Sequence, residues 1–279
     1  MSLFFLVLLN NISRFIVMTI KIIITIYLIA FSSIALCQTE KSINQVDSKD
    51  RKQGHWIKRY PDETILYEGY FKDDHPVGEF KRYYENKTLK SVLHFSTNGK
   101  EASAILYHPN GNIASKGKYI NQKKEGKWQF FSERTKDYLI SEDIYSADLR
   151  NGMSVKFYPD STIAEKVGYV NDIKQGEWTR YYPDGSILLK SNYLNGRIEG
   201  KFETWFDNGT IEYSGQYKND ARDGLWMIYN ADGTVKYRME YIEGITKDRQ
   251  MDIDESKILD SIEQDKDNVQ DPEKAGTIK

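Results

Sequence analysis

A single cysteine, Cys37, is the only thiol in the 279-residue sequence. One thiol excludes an intrachain disulfide and a multi-thiolate metal centre. If the chain is cut after Cys37, no thiol nucleophile remains. Net charge is equally scarce: 39 Lys+Arg against 41 Asp+Glu give −2, which offers nucleic acid no electrostatic footprint. The four histidines, His55, His75, His94 and His108, show no H-x-x-x-H or comparable spacing, which argues against zinc. There is no Gly-Lys-Ser/Thr phosphate loop and no Gly-x-Ser-x-Gly elbow. The one long apolar run, Ile22 to Leu36, is shorter than the roughly 20 residues of a spanning helix.

That run reads as a targeting segment. Lys21 precedes it, no Asp or Glu occurs before Glu40, and Ala35-Leu36-Cys37-Gln38 is like a cleavage site with small residues at the last and third-last positions. Residues 1–37 are therefore expected to be a signal peptide, cleaved before Gln38, with Met18 as an alternative start. An uncleaved signal anchor and a lipidated Cys37 stay open, although Leu36 stands where lipid-attachment motifs want a small residue. The expected location is exported, periplasmic or envelope-associated.

What the sequence has in abundance is repetition. Gly54, Gly78, Gly126, Gly152, Gly176, Gly200 and Gly224 recur every 24 residues, with Ala102 in the one gap and one spacing of 26. The extra two residues fall around Arg134–Tyr138. Two positions after the Gly come Trp56, Phe80, Ala104, Trp128, Ser154, Trp178, Phe202 and Trp226; seventeen after it, allowing for the insertion, every copy is aromatic, from Phe71 to Tyr241. Between the two apolar stretches lies turn chemistry such as Pro183-Asp184-Gly185 and Asp207-Asn208-Gly209, and a second turn follows at Asn171, Asn195-Gly196 or Asn219-Asp220. No copy has a 3.6-residue period. Residues 54–246 are expected to form eight hairpins in one antiparallel meander, each copy held mainly by its neighbours.

A register follows if the residue six after the Gly faces the one eleven after it. The ring position then faces Gly69, Gly117 and Gly215 in three copies and Ser191 in another, so that a ring covers bare backbone. Phe80 with Leu93 and Trp226 with Met239 do not fit that pattern.

One face then carries the rings, and the other is mostly Lys, Glu and Ser. The exception is a stripe at Tyr83, Tyr107, Phe131, Phe157, Tyr181, Trp205 and Tyr229. It is the candidate partner-binding surface, since aromatics are favoured at interface hot spots. The bland alternative is cross-strand packing that stabilises a thin sheet. Lys116, Lys118, Lys123, Lys124 and Lys127 form a basic cluster, a candidate contact for anionic lipid headgroups weighed against a plain solvated face. Asp62, Asp160, Asp184 and Asp232 recur because the turn demands them, and near-equivalent copies do not make one site with distinct roles. No enzyme and no cofactor are expected.

Gly176-Glu177-Trp178 through Tyr181-Tyr182-Pro183-Asp184-Gly185 to Ile187, with Tyr67-Glu68-Gly69-Tyr70-Phe71 and Tyr213-Ser214-Gly215-Gln216-Tyr217, resembles MORN repeats. The nearest form is the bacterial variant of YwqK-type antitoxins in toxin–antitoxin systems. The resemblance covers about residues 54–244. It implies an elongated single-layer all-β sheet of hairpins that serves as a scaffold, a dimerisation platform or a lipid-associated module. The third copy departs from it by lacking both its Gly and its ring (Ala102, Ala104), and an export signal sits badly with an antitoxin that meets its toxin in the cytoplasm.

Residues 38–53 are expected to be a flexible linker. The charged tail, 247–279, offers a short helix after Asp252 with Ile258, Leu259 and Ile262 on one side. A single layer leaves its apolar face uncovered, so curling, the tail or a homodimer has to cover it. The expected function is an exported, non-enzymatic scaffold with a protein partner; an antitoxin or immunity-type protein and a lipid-associated envelope protein are the alternatives.

Overall fold

The computed structural model describes residues 18–21, which are helical, and 42–246. The cleavage site and the tail lie outside the described residues. Among them, no helix is long and apolar enough to cross a membrane. Residues 44–246 form one antiparallel sheet of 20 strands in meander order.

The first strands of the eight copies are Lys52–Arg59, His75–Tyr83, Glu101–Tyr107, Lys123–Phe131, Gly152–Phe157, Ile173–Tyr181, Gly200–Trp205 and Ala221–Tyr229. The second strands are Ile65–Lys72, Leu89–Phe95, Ile113–Ile120, Leu139–Ser146, Ile163–Val170, Ile187–Leu194, Ile211–Lys218 and Val235–Ile242. Within a copy the ring position pairs as the sequence suggests: Trp56 faces Gly69, Trp178 faces Ser191 and Phe202 faces Gly215. At the turn end the register slips by one, so that the residue five after the Gly, not six, faces the one eleven after it, as Tyr181 faces Ile187. The cause is the turn itself. Tyr182 to Gly185 closes with Gly185 N–H on the Tyr182 carbonyl, Gly185 stands at φ 86°, and the Asp184 carboxylate accepts from the N–H and hydroxyl of Ser186. A type I turn followed by a left-handed residue needs that extra residue in the ladder.

The looser turns are two-residue turns with both residues at positive φ, such as Asn171-Asp172 and Asn219-Asp220, the geometry whose twist matches a hairpin. The repeat's leading Gly follows as a bulge: Gly69 faces Phe80, but Tyr70 already faces Val77, and Gly78 stands at φ 64°. This explains Ala102. The second and third copies are joined by a longer turn closed by Ser96 and Gly99, and the ladder from Ser91↔Leu106 to Phe95↔Ala102 has no bulge. The third copy is therefore not distorted. It lacks the Gly because its entry requires no left-handed residue.

The ring that covers each glycine comes from the following copy, not from the same hairpin. A Cβ at Gly69 would fall on the ring of Phe80, one at Gly117 on Trp128, and one at Gly215 on Trp226. This resolves Phe80 with Leu93, one of the two pairs that did not fit; the position opposite Met239 in a following copy lies outside the described residues. Where the position fifteen after the Gly is Leu93 or Asp143, the next copy brings Ala104 or Ser154 instead of a ring. A large side chain thus meets a small one at these cross-copy sites, whereas Val167 and Trp178 face each other and are both buried. Ring against ring then buries the face within the chain. Phe202 lies 5.7 Å from Trp226 and 5.1 Å from Tyr217, and Trp128, Trp178, Phe202 and Trp226 are at most 1% exposed.

Residues 44–53, expected to be linker, are ordered. Gln45–Val46 pairs with Gln53 and Lys52, and Asn44 Oδ1 accepts from the Ile57 N–H at 2.8 Å while its amide donates to the Ile57 carbonyl at 3.0 Å. Composition alone suggested a linker because these residues are polar, but they satisfy an edge strand's backbone, and polar side chains suit that task.

Two apolar clusters share the inner face, one around Trp128 in the third and fourth copies and one from Val167 to Tyr241. Between them lie the buried Ser141, Asp143, Ser154 and Glu165. Burial pushes the Asp143 carboxyl above its usual range, opposed by Ser154, Arg150, Lys124 and Lys156. A raised carboxyl favours the neutral form in the folded chain, so stability is fullest below the ordinary aspartate pKa of about 4 and falls as pH rises through the folded value. Asp143→Asn should therefore raise the melting temperature at pH 7 by a few degrees (roughly 2–4 °C). The gain should vanish at pH 3 in the same thermal scan.

Candidate interaction surface

The aromatic stripe lies on the outer face, but it is half-buried from Tyr83 to Tyr229. Three of the stripe rings rest against side chains of the preceding copy. Tyr83 donates to Glu68 Oε1 at 2.6 Å, Lys116 Nζ lies 5.2 Å over Phe131, and Lys166 Nζ lies 5.7 Å over Tyr181. Burial, then the Glu68 carboxylate, pushes the Tyr83 phenol up to about 12. The stripe thus packs between copies while offering one edge of each ring to solvent.

The stripe's backbone holds a second ladder that sequence reasoning missed. The tyrosine six after the Gly reaches one copy forward in four copies, and Tyr138, from the turn that carries the insertion, does so in the fourth: Tyr60, Tyr84, Tyr138, Tyr158 and Tyr182 donate to the carbonyls of Tyr83, Tyr107, Phe157, Tyr181 and Trp205 at 2.7–2.9 Å. His108 Nε2 stands 3.1 Å from the Phe131 carbonyl in the same role. Phe206 has no hydroxyl, so the seventh rung is missing. Tyr182→Phe should cost about 1 kcal/mol, and Phe206→Tyr should gain a similar amount by reaching the Tyr229 carbonyl. Urea midpoints of the two variants should move in opposite directions.

The basic cluster does not form one surface. Lys124 is 6% exposed, with its Nζ 4.6–5.4 Å over Trp128, Phe130 and Tyr145, so it is removed from the candidate lipid contact. The reason is the pleat, which turns Lys123 outward and Lys124 inward. It is one of five cations two residues before a leading Gly, where Gly78 and Gly200 have Pro76 and Ile198 instead; the others also lie over the late aromatic: Lys52 on Phe71 at 4.9 Å, Arg150 on Tyr169 at 4.0 Å, Lys174 on Tyr193 at 4.8 Å, and Arg222 on Tyr241 at 5.3 Å. Lys118 pairs with Glu101 and Lys127 with Glu142, each at 2.7 Å. Lys123 is exposed.

A surface that the sequence reasoning passed over lies on the outer face beside the two-residue turns. Leu149, Met153, Val170, Ile173 and Leu194 are 42–51% exposed on neighbouring strands. Their inward neighbours Ser154, Tyr169 and Tyr193 are buried, and Val170 faces Ile173 across the turn. The equivalent turn positions elsewhere hold Lys72 with His75, and Lys218 with Ala221. Ile242 faces Ile245 at the same turn position of the eighth copy, and both are exposed, but the five-residue run over neighbouring strands is in copies five and six and the turn before them.

Asp62, Asp160, Asp184 and Asp232 each accept from the residue two further on, which lowers each carboxyl. Among the described residues no three His, Cys, Asp or Glu are grouped to hold a metal.

Five copies match the MORN repeat variant. The matches are residues 76–97, 100–121, 174–195, 198–219 and 222–243. They include the third copy, whose lost Gly changes only the turn before it. The unmatched fourth copy carries the insertion, and the unmatched fifth carries Ser154 in the ring position. MORN repeats are a non-catalytic repeat type, generally found as protein- or membrane-interaction modules. No curated protein matches the chain. Among solved structures it is similar to a TcdB2–TccC3 crystal structure at 11% identity and TM-score 0.21, covering 69% of this chain and 14% of that one. The structure of TcdB2–TccC3–TEV gives 11%, 0.19, 69% and 11%, and that of TcdB2–TccC3–Cdc42 gives 10%, 0.16, 67% and 15%. The chain thus spans less than a sixth of the length of those chains.

Proposed function

We propose that this chain is an exported, non-enzymatic scaffold of the cell envelope that binds a protein partner on the outer face of its fifth and sixth copies. The observation that carries this reading is the row Leu149, Met153, Val170, Ile173 and Leu194, grouped and solvent-facing on a sheet whose other apolar face is already packed. Grouped exposed apolar side chains mark interaction sites in soluble proteins. The flanking stripe residues Phe157 and Tyr181 add ring edges to the same face. A protein partner is preferred to an anionic lipid because four of the five clustered lysines already face a ring or a carboxylate.

The test is crosslinking and affinity capture of the C-terminally tagged full-length protein from its native cells, with N-terminal sequencing of the product. Gln38 as first residue, with envelope proteins captured, supports the scaffold. An intact N-terminus with one stoichiometric cytoplasmic partner replaces it with the antitoxin reading.

A further inference from the structure

The inner face is apolar on either side of the junction between the fourth and fifth copies, and polar at it. One cluster of buried apolar side chains ends at Tyr145 and the other begins at Val167. The inward positions between them hold Ser141, Asp143, Ser154 and Glu165, all buried. Asp143 stands opposite Trp128 within its own hairpin and has Ser154 of the fifth copy as a hydrogen-bond partner. Ser141 faces Lys156, whose Nζ lies 3.2 Å from Glu165, and Arg180 Nε lies 3.9 Å from the same carboxylate. The third copy sets Gly117 under the Trp128 ring, and the seventh sets Gly215 under Trp226. At the matching place the fourth sets a carboxylate beside a hydroxyl.

Neighbouring copies in a one-dimensional array cohere through the interface between them. The junction that exposes least apolar surface on parting therefore opens first. Parting the seventh copy from the eighth would bare Phe202, Tyr217 and Trp226, each at most 6% exposed, and parting the third from the fourth would bare Trp128, which is fully buried. Parting the fourth from the fifth would bare charged and hydroxyl groups instead. The hydration they recover offsets the attraction they lose, as for buried ion pairs in general. On the outer face Ile144 lies over Gly152, but it is only half-buried. Backbone pairing crosses the junction, with Glu142 opposite Val155 and Ser141 opposite Lys156, so the weak coupling lies in the side chains. The two sides are also unequal among the described residues. The C-terminal cluster holds thirteen buried residues, and the N-terminal one holds six, of which two are alanines.

We infer that the sheet consists of two cooperative units that meet at this polar seam, and that copies one to four open while copies five to eight stay folded. The strands that carry Met153, Val170, Ile173 and Leu194 all belong to the unit that stays folded.

Hydrogen exchange of the full chain, pulsed at rising urea concentrations and read peptide by peptide in a mass spectrometer, tests this, with 101–146 and 187–229 as the informative segments. Segment 101–146 should lose its protection first, and at that urea concentration 187–229 should still be protected about a hundredfold. Loss of both together, loss in the reverse order, or a boundary outside residues 145–167 would overturn the inference. Asp143→Gly with Ser154→Trp copies Gly117 and Trp128 across the seam and should make the two losses coincide. Asp143→Asn removes the buried charge and keeps the shape, so it serves where the double variant does not fold, and it should narrow the gap. A gap left unchanged by the folded variant would also overturn the inference, since the polar side chains would then not be what separates the units.

Discussion

Replacing Gly215 with valine should destabilise the chain by about 3 kcal/mol, the upper range for overpacking, and the loss should largely disappear when Trp226 is alanine. A Cβ at Gly215 would fall on Cδ2, Cε2 and Cγ of the Trp226 indole. The indole is 1% exposed and is held by Phe202, Tyr217 and Tyr241 at 5.2–6.2 Å. Its own N–H is tied to the Gln216 carbonyl at 3.1 Å, so the ring cannot slide aside without disturbing a hydrogen bond and those ring contacts. Trp226→Ala alone should cost about 3–5 kcal/mol by emptying that space. With both changes, valine fills part of the gap, and the double variant should be well short of additive. Urea denaturation of the four proteins measures the coupling. An additive result would mean that the glycine is needed for its own backbone freedom rather than for the neighbour's ring.

That coupling was partly legible in the sequence. The 24-residue period, the strand–turn–strand order and the in-hairpin register all follow from where Gly, rings and turn residues recur, because each has a local cause. Which ring lies over which glycine is not local. Trp56 and Phe80 both stand opposite Gly69, one within the hairpin and one across copies, and a period places them equally well. The misfit of Leu93 was the available clue, since it disappears when the comparison is made with Ala104 of the following copy. The tyrosine ladder was hidden for a related reason: Tyr60, Tyr84, Tyr158 and Tyr182 sit beside the turn and read as turn residues until the next copy supplies a carbonyl. Lys124 was misplaced because a cluster read along the chain ignores the pleat. The apolar row escaped because these positions are apolar in some copies, such as Val170 with Ile173 and Ile242 with Ile245, and polar in others, such as Lys72 with His75, and a search for what repeats in every copy passes over them.

The row also gives the functional prediction with the largest effect. Val170→Lys with Ile173→Glu should reduce binding of the captured partner by about thirtyfold, the equivalent of roughly 2 kcal/mol at a central contact, while leaving the fold intact. The two residues face each other across the Asn171-Asp172 turn and are 48% and 51% exposed, so the pair can become an opposite-charge cross-strand pair at little cost. The same turn in the first copy already carries Lys72 opposite His75. Leu225→Glu is the matched control: it is 59% exposed on the same face but outside the row, and it should bind as the parent does. Titration of each variant against the partner, beside its urea midpoint, separates contact from stability. Equal binding by all three proteins would remove the row from the interface and move the contact to the stripe edges, where Tyr181→Ala would then be the informative change.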